Sequence, residues 1–533
     1  MSIQGVTFMV SDNEKAPETR AEADASDSMA DRSHNRTLRP QSTTFSEFML
    51  SGWGEENAHT QRLESSSFTP ARLEALGKRF PGERLVIPAG QAKVRNDDCD
   101  YAFRPDSAFA YYTGLGQDYE AGAVLVLHPL APDSAEAAQG KTHTPVIYLH
   151  PRSDQSTQEY YRSAAYGEYW VGARPGLEGI TQMTGIETAD IAGLNDALSK
   201  DVGNEAGAVR VRIIRNIDAE VTATVDAIRQ ENGYNDSDSN ASDDNKFYEF
   251  TSEARMIKDN YEIAQMRKAI VATKEGFTRM LSALPHARGK ERGERILEGQ
   301  FNANAREKGN AEGYGTIVAS GTHAPTLHWM RNTGTINDGE LLLIDAGVEV
   351  DSLYTADITR TFPVNGKFTP LQRELYSVVL KAQQAGFEAA RPGATYSDIH
   401  HACMRVLAEA MHEWGILPVS VEESLSPEGQ QHRRWHACGV AHHLGLDVHD
   451  CSQARYESYQ GAKLAPGMIF TIEPGLYFKE NDMLVPPEFR GVGIRIEDDV
   501  LMTENGPEWL SIDIPKQIDD VEAWMAQAAD QEK

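Results

Sequence analysis

Leu341-Leu342-Leu343-Ile344-Asp345 is an apolar run of the kind that forms a buried strand, and it closes on a carboxylate. Four other stretches set an acid or a histidine in similar surroundings. They are Tyr354-Thr355-Ala356-Asp357-Ile358-Thr359-Arg360, His442-His443-Leu444-Gly445-Leu446-Asp447-Val448-His449-Asp450, Phe470-Thr471-Ile472-Glu473-Pro474-Gly475 and Gly493-Ile494-Arg495-Ile496-Glu497-Asp498-Asp499. A core strand has no ordinary reason to carry a carboxylate inward, because a buried unpaired charge is costly. Convergence of several such groups on divalent cations removes that penalty, since hard cations take oxygen ligands. Either aspartate alone reads as a residue flanking a turn; the set carries the metal reading.

Outward from these stretches, the chain has 533 residues, too many for one ordinary core, so two or more domains are expected. Forty per cent of residues are apolar and 25% charged, an ordinary globular balance. A net charge of −29 argues against nucleic acid and against anionic lipid. Its plainest meaning is solubility. Cys99, Cys403, Cys438 and Cys451 form no CxxC pair and no disulfide framework, which fits a reducing, cytoplasmic setting. No signal peptide and no membrane-spanning run is visible.

Residues 1–69 read as an N-terminal extension, mostly disordered over 11–45, with a short docking helix possible at Thr44-Phe45-Ser46-Glu47-Phe48-Met49-Leu50. Ordered structure is expected from Pro70. Strands are predicted at 84–87, 122–127, 146–149 and 209–214 with helices between them, giving an α/β N-terminal domain over 70–250. Residues 231–245, rich in Asp, Asn and Ser, read as a mobile acidic insertion. They lack the glycine and final glutamate of an EF-hand at the right offsets. A second domain, 251–520, opens on a helix with Asp259 as its N-cap. Further helices are predicted near 292–308, 369–390 and 396–413. Helices followed by strands make this domain α+β. Residues 521–533 read as a C-terminal tail.

At its acids the chain resembles the pita-bread metallopeptidases, whose ligands run in the order Asp, Asp, His, Glu, Glu. Here that order is Asp345, Asp357, His442, Glu473, Glu497. The words Asp-Ile-Thr-Arg-Thr-Phe-Pro, His-x-Leu-Gly-Leu-Asp-Val-His-Asp, Glu-Pro-Gly-Leu-Tyr and Gly-Ile-Arg-Ile-Glu-Asp-Asp look most like the aminopeptidase P branch. The segment from Tyr101 to Gly114 is similar to that branch's N-terminal word Tyr-x-Phe-Arg-x-x-Ser-x-Phe-x-Tyr-x-Thr-Gly. The resemblance covers roughly residues 70 to 510.

The resemblance implies a C-terminal pita-bread catalytic domain of two related halves, preceded by a smaller α/β domain that helps to close the site and to form a homo-oligomer, dimer or tetramer. It implies that Asp357 and Glu497 bridge two divalent ions, that Asp345 completes one, and that His442 and Glu473 complete the other. A water held between two close cations loses a proton near neutral pH and becomes a nucleophile. Candidate catalytic residues are Glu473 as proton shuttle, His328 and His449 around the substrate, and Arg495 beside the carboxylates. Arg360 is assigned the same supporting role as Arg495, and Tyr477 a weaker one. His323, His436 and His443 read as structural. The oxygen-rich ligand set suits Mn²⁺, with Co²⁺, Zn²⁺ and Fe²⁺ as alternatives.

Two departures from the family stand out. Asp345 and Asp357 are twelve residues apart, one more than is usual, so the intervening turn or a bulge must absorb a residue. Cys438 occupies a place where several relatives carry a histidine, and a buried inert thiol is expected there. The expected activity is that of a cytoplasmic Xaa-Pro aminopeptidase, a metalloprotease acting on proline-containing peptides. Prolidase, restricted to Xaa-Pro dipeptides, is the alternative. A non-metal hydrolase or a non-enzymatic binding module on this fold is disfavoured by the complete ligand set.

Overall fold

The structure is a computed structural model that describes residues 42–530 apart from 55–57, 59, 97, 98, 118 and 206. The disorder expected over 11–41 falls outside the described residues. Two compact units are present. The smaller draws on the described parts of 1–59, 94–101 and 152–175. Its helix Thr43–Met49 is capped by the Ser42 side chain and sets Phe45 edge-on to Tyr161.

The larger unit begins at Thr60, earlier than the sequence suggested. The Leu63 amide bonds the Met183 carbonyl at 2.9 Å, which ties the segment before Pro70 to the body. A five-stranded mixed sheet follows, in the order Glu187–Asp190, His143–Leu149, Val124–Pro129, Glu83–Pro88, Arg210–Ile213. The strand Glu187–Asp190 is short and polar, with no apolar signal to announce it.

The predicted acidic insertion is instead the end of one helix, Ala219–Glu231, a short link, and the start of another, Ser237–Glu253. Asp236 caps the second helix through the amides of Asp238 and Ser239. Phe247 is buried against Phe80. Asp244 is buried as the counter-ion of Arg229 and Arg215. Composition registered the acidity but not the partners, which lie elsewhere in the fold. The predicted C-terminal tail is likewise a helix, Ile518–Asp530, whose Val521, Trp524 and Met525 are buried; Trp524 stacks on Phe277.

The rest of the larger unit runs through one order twice. Helices Asn260–Ala287 and Gly293–Lys308 lead into strands Ile317–Ser320, Leu341–Ala346 and Ile358–Pro363. Helices Pro370–Ala389 and Tyr396–Glu413 lead into strands Ile469–Ile472, Asp498–Thr503 and Gly506–Trp509. Asp259 caps the first helix in a capping box with Glu262. Each set of three strands is an antiparallel sheet. The two halves join where the Glu497 amide bonds the Thr359 carbonyl at 3.1 Å. This is the α+β, pita-bread architecture expected. Leu341 to Ile344 are all buried, each contributing about 1.5–3 kcal/mol of apolar burial. Among the described residues no helix is long and apolar enough to cross a membrane.

The chain between the two aspartates closes in a tight turn. Leu353 donates to the Val350 carbonyl and Val350 to the Tyr354 carbonyl, with Leu353 at φ +70°. That is a three-residue hairpin loop with a bulge of the kind in which glycine usually takes the left-handed position. Strand register beyond it is undisturbed, with Asp345 opposite Thr359.

Candidate metal centre

Each acid reaches the centre from a different backbone context. Asp345 is near the end of a central strand, and Asp357 stands one residue before Ile358–Pro363. Glu473 follows Ile469–Ile472, and Glu497 sits between Gly493–Arg495 and Asp498–Thr503. His442 is pinned by the sheet: its amide bonds the Thr471 hydroxyl at 3.3 Å and its carbonyl accepts from the Thr471 amide at 3.0 Å. Close chain approach makes this possible. A Cβ on Gly347 would collide with the Ala356 carbonyl and the Tyr314 ring, so only glycine lets the two strand ends converge.

Donor atoms of Asp357, His442 and Glu497 lie within 4.8 Å of one another. His442 Nδ1 donates to the His443 carbonyl at 3.1 Å, which leaves Nε2 facing the acids. Nε2 lies 3.3 Å from Asp357 Oδ2 and 3.5 Å from Glu473 Oε1. Arg495 pairs with Asp345, lies 3.9 Å from Glu497, and donates to the Thr359 hydroxyl at 2.9 Å and the Tyr477 hydroxyl at 3.1 Å. Tyr477 is therefore a partner of Arg495. Arg360 does not reach the five groups with its side chain; its carboxylate partner is Asp498 at 2.7 Å. It also donates to the Glu497, Ile514 and Pro515 carbonyls, so it braces the strand behind the site.

Two supporting residues escaped the sequence reading. The Tyr314 hydroxyl lies 2.7 Å from Asp345 Oδ1 and 2.6 Å from Asp357 Oδ1. The Thr359 hydroxyl donates to Glu497 Oε2 at 2.6 Å. Tyr314 sits in Glu312-Gly313-Tyr314-Gly315, where the flanking glycines were the available hint.

The electrostatics are those of a crowded anion set. Burial, then Asp357, Glu473 and Asp345, holds the Glu497 carboxyl well above the ordinary range. Burial pushes Glu473 up to about 7 against the pull of His442 and Arg495. Burial would lower His442, but Asp357 and Glu473 carry it up to about 9. Oε1 of Glu497 is buried with no hydrogen-bond partner among the described residues. An orphaned carboxylate oxygen among acids that raise one another is the donor set that divalent cations satisfy, so the residues fit such ions.

His449 stands edge-on to His442, ring centroids 4.7 Å apart, and burial, then the neighbouring His442, lowers its pKa; His328 is exposed. Of the histidines read as structural, His443 has both ring nitrogens without a hydrogen-bond partner among the described residues. His323 stacks on Trp329 and bonds Glu294, His436 bonds the Gly475 carbonyl, and His443 is fully buried. Cys438 is half-buried, 3.8 Å from His436 Nε2, and burial followed by Glu473 pushes its thiol up to about 11, so it stays protonated.

The profile of metallopeptidase family M24 matches residues 264–504, and that of the aminopeptidase P N-terminal domain matches 70–209. Xaa-Pro aminopeptidase 1 of Streptomyces coelicolor is 43% identical over 487 residues, covering 91% of this chain and 92% of the relative. Xaa-Pro aminopeptidase 2 of the same organism is 41% identical over 502 residues, covering 94% and 100%. Among solved structures, proline aminopeptidase P II from Yersinia pestis matches with a TM-score of 0.72 at 30% identity, over 87% of this chain and 99% of that one. A zinc-substituted Escherichia coli aminopeptidase P in complex with product matches with the same TM-score, identity and coverage.

Proposed function

The chain belongs to metallopeptidase family M24 and is a metallo-aminopeptidase, and from that footing we propose that it releases the N-terminal residue from peptides with proline in second position. The observation that carries the reading is the approach of Asp357, His442 and Glu497, with Glu473 and Asp345 beside them. In this reading Asp345, Asp357, His442, Glu473 and Glu497 would together hold two divalent ions. Mn²⁺ is the ion that the oxygen-rich set suits best. Bound there, such ions supply an acidified water as nucleophile near neutral pH.

The chain's own groups do the rest. Glu473 is more exposed than Glu497, 19% against 2%, which suits it to carry a proton to the leaving nitrogen. Arg495 and Tyr314 fix the rotamers of Asp345 and Asp357. His449 and His328 hold the peptide around the scissile bond and stabilise negative charge developing on its carbonyl oxygen. A bond before proline is a tertiary amide without an N–H, on a ring that fixes φ, so a site for it must grip other backbone atoms. The reading includes a cytoplasmic homo-oligomer, dimer or tetramer, which sedimentation and fractionation would check.

The test is hydrolysis of Xaa-Pro-Xaa, Xaa-Ala-Xaa and Xaa-Pro by the Mn²⁺-loaded enzyme. The proline tripeptide should lead, with the alanine peptide losing on the order of 1–3 kcal/mol of transition-state binding or more. Equal rates on proline and alanine tripeptides would make it a general aminopeptidase. Cleavage of the dipeptide alone would make it a prolidase.

A further inference from the structure

We propose that Arg104, with Ser107, is a positioning residue for catalysis: from the N-terminal segment it sets the loop that presents His449. The proposal rests on the role given to His449 above. Arg104 Nε donates to Glu349 Oε2 at 2.7 Å, and Nη2 donates to the Leu446 carbonyl at 2.6 Å and lies 3.3 Å from Asp447 Oδ1. Nη1 donates to the Ser107 hydroxyl at 3.3 Å, and that hydroxyl donates to Asp447 Oδ1 at 2.6 Å.

One guanidinium thus ties together two segments that each end at the site. Asp447 precedes His449 by two residues. Glu349 bridges through its backbone to Thr355, two residues before Asp357, and the Thr355 amide bonds the Gly445 carbonyl at 3.0 Å. On the far side of His449, Asp450 is held by Arg255 at 3.0 Å and Lys258 at 3.3 Å. His449 is therefore flanked by two anchored aspartates, and its edge-on placement against His442 follows from them.

The fork shape matters. A guanidinium offers donors in fixed directions to separate acceptors, and an ammonium is a single point charge that cannot reach all of them. Arg104 and Asp447 are each about one-third exposed, 33% and 36%, so their attraction adds little to global stability. Glu349 is buried, with its side chain 8% exposed, so a variant that keeps the positive charge, Arg104→Lys, is the one that separates loss of position from loss of fold.

The experiment is a double-mutant cycle on the metal-loaded full chain, using a proline tripeptide. Arg104→Lys should lower kcat at least fivefold, with KM and metal content nearly unchanged. In a His449→Ala background the same substitution should have no further effect on kcat. Ser107→Ala, which removes only one bond to Asp447, should show a smaller loss with the same dependence on His449, and it serves if Arg104→Lys does not fold. An unchanged kcat in both variants, or a full loss that persists without His449, overturns the proposal. A His449→Ala enzyme with normal kcat overturns it too, and that single variant shows that the reading of His449 failed first.

Discussion

Asp244 Oδ1 lies 2.6 Å from Nη2 of Arg229, and the two side chains are 1% and 3% exposed. Asp244 also pairs with Arg215 at 2.9 Å and accepts from the Ile213 amide at 3.0 Å. It locks the helix Ser237–Glu253 to the edge strand Arg210–Ile213. Asp244→Ala should destabilise the protein by on the order of 3 kcal/mol, because it leaves the buried Arg229 with only the part-exposed Asp226 as a carboxylate partner. Deleting residues 231–245 should be worse and remove soluble protein. Urea unfolding of the point variant within 1 kcal/mol of the parent would refute this.

Asp450 governs part of the acid stability. Burial alone would raise its carboxyl, but Arg255 and Lys258 override that and hold it down at about 2. A carboxylate depressed in the folded state adds stability above its unfolded pKa, about 3.9, and that stability fades as pH falls through the folded value. The parent should lose on the order of 2 kcal/mol from this group between about pH 5 and pH 2. Asp450→Asn should be less stable at neutrality and flatter over that window. Parallel stability-against-pH curves for the two proteins would count against the assignment.

Leu353 is fully buried yet left-handed at φ +70°. Burial favours keeping the leucine, while its backbone favours glycine by about 1–2 kcal/mol. Leu353→Ala keeps the strain and loses the packing, for about 2–5 kcal/mol. Leu353→Gly should therefore be more stable than Leu353→Ala by about 1 kcal/mol, the reverse of the usual order. Thermal unfolding of the pair decides it, and an alanine variant as stable as glycine would show that the turn is not strained.

Glu294, completely buried, accepts from the Ser320 and Gly334 amides at 2.9 and 2.6 Å, from Trp329 Nε1 at 2.8 Å and lies 2.7 Å from His323 Nδ1. These bonds close the segment that carries His328. Glu294→Gln turns one acceptor into a donor facing donors, which should cost about 1–3 kcal/mol. KM for the proline tripeptide should rise with metal content unchanged. A variant with normal stability and normal KM would mean that the segment holds its shape without this carboxylate.

Glu497→Gln should reduce bound metal, read by elemental analysis, and with it activity, because Oε1 of Glu497 has no hydrogen-bond partner among the described residues and Oε2 is already engaged by Thr359. Glu473→Gln should depress kcat far more than it raises KM. Chelation should abolish activity and Mn²⁺ should restore it best. Full turnover by exhaustively demetallated enzyme would sink the metal mechanism.

Sequence and tertiary structure divide the credit along a physical line. The sequence by itself determined the α+β class and the principal helices and central strands, because periodicity is a local signal, and it singled out Asp345, Asp357, His442, Glu473 and Glu497 as candidate ligands through the order and words they share with the pita-bread metallopeptidases. It did not determine that 237–253 and 518–530 are packed helices, since their reasons are distant: Arg229 for Asp244, and Phe277 for Trp524. Nor did it show Tyr314 spanning Asp345 and Asp357, or Arg104 holding Glu349 and Leu446 across more than two hundred residues of chain. A hydrogen bond between remote residues leaves no period and no composition bias. Only folding brings donor and acceptor together, and there the structure decided what the chain could not announce.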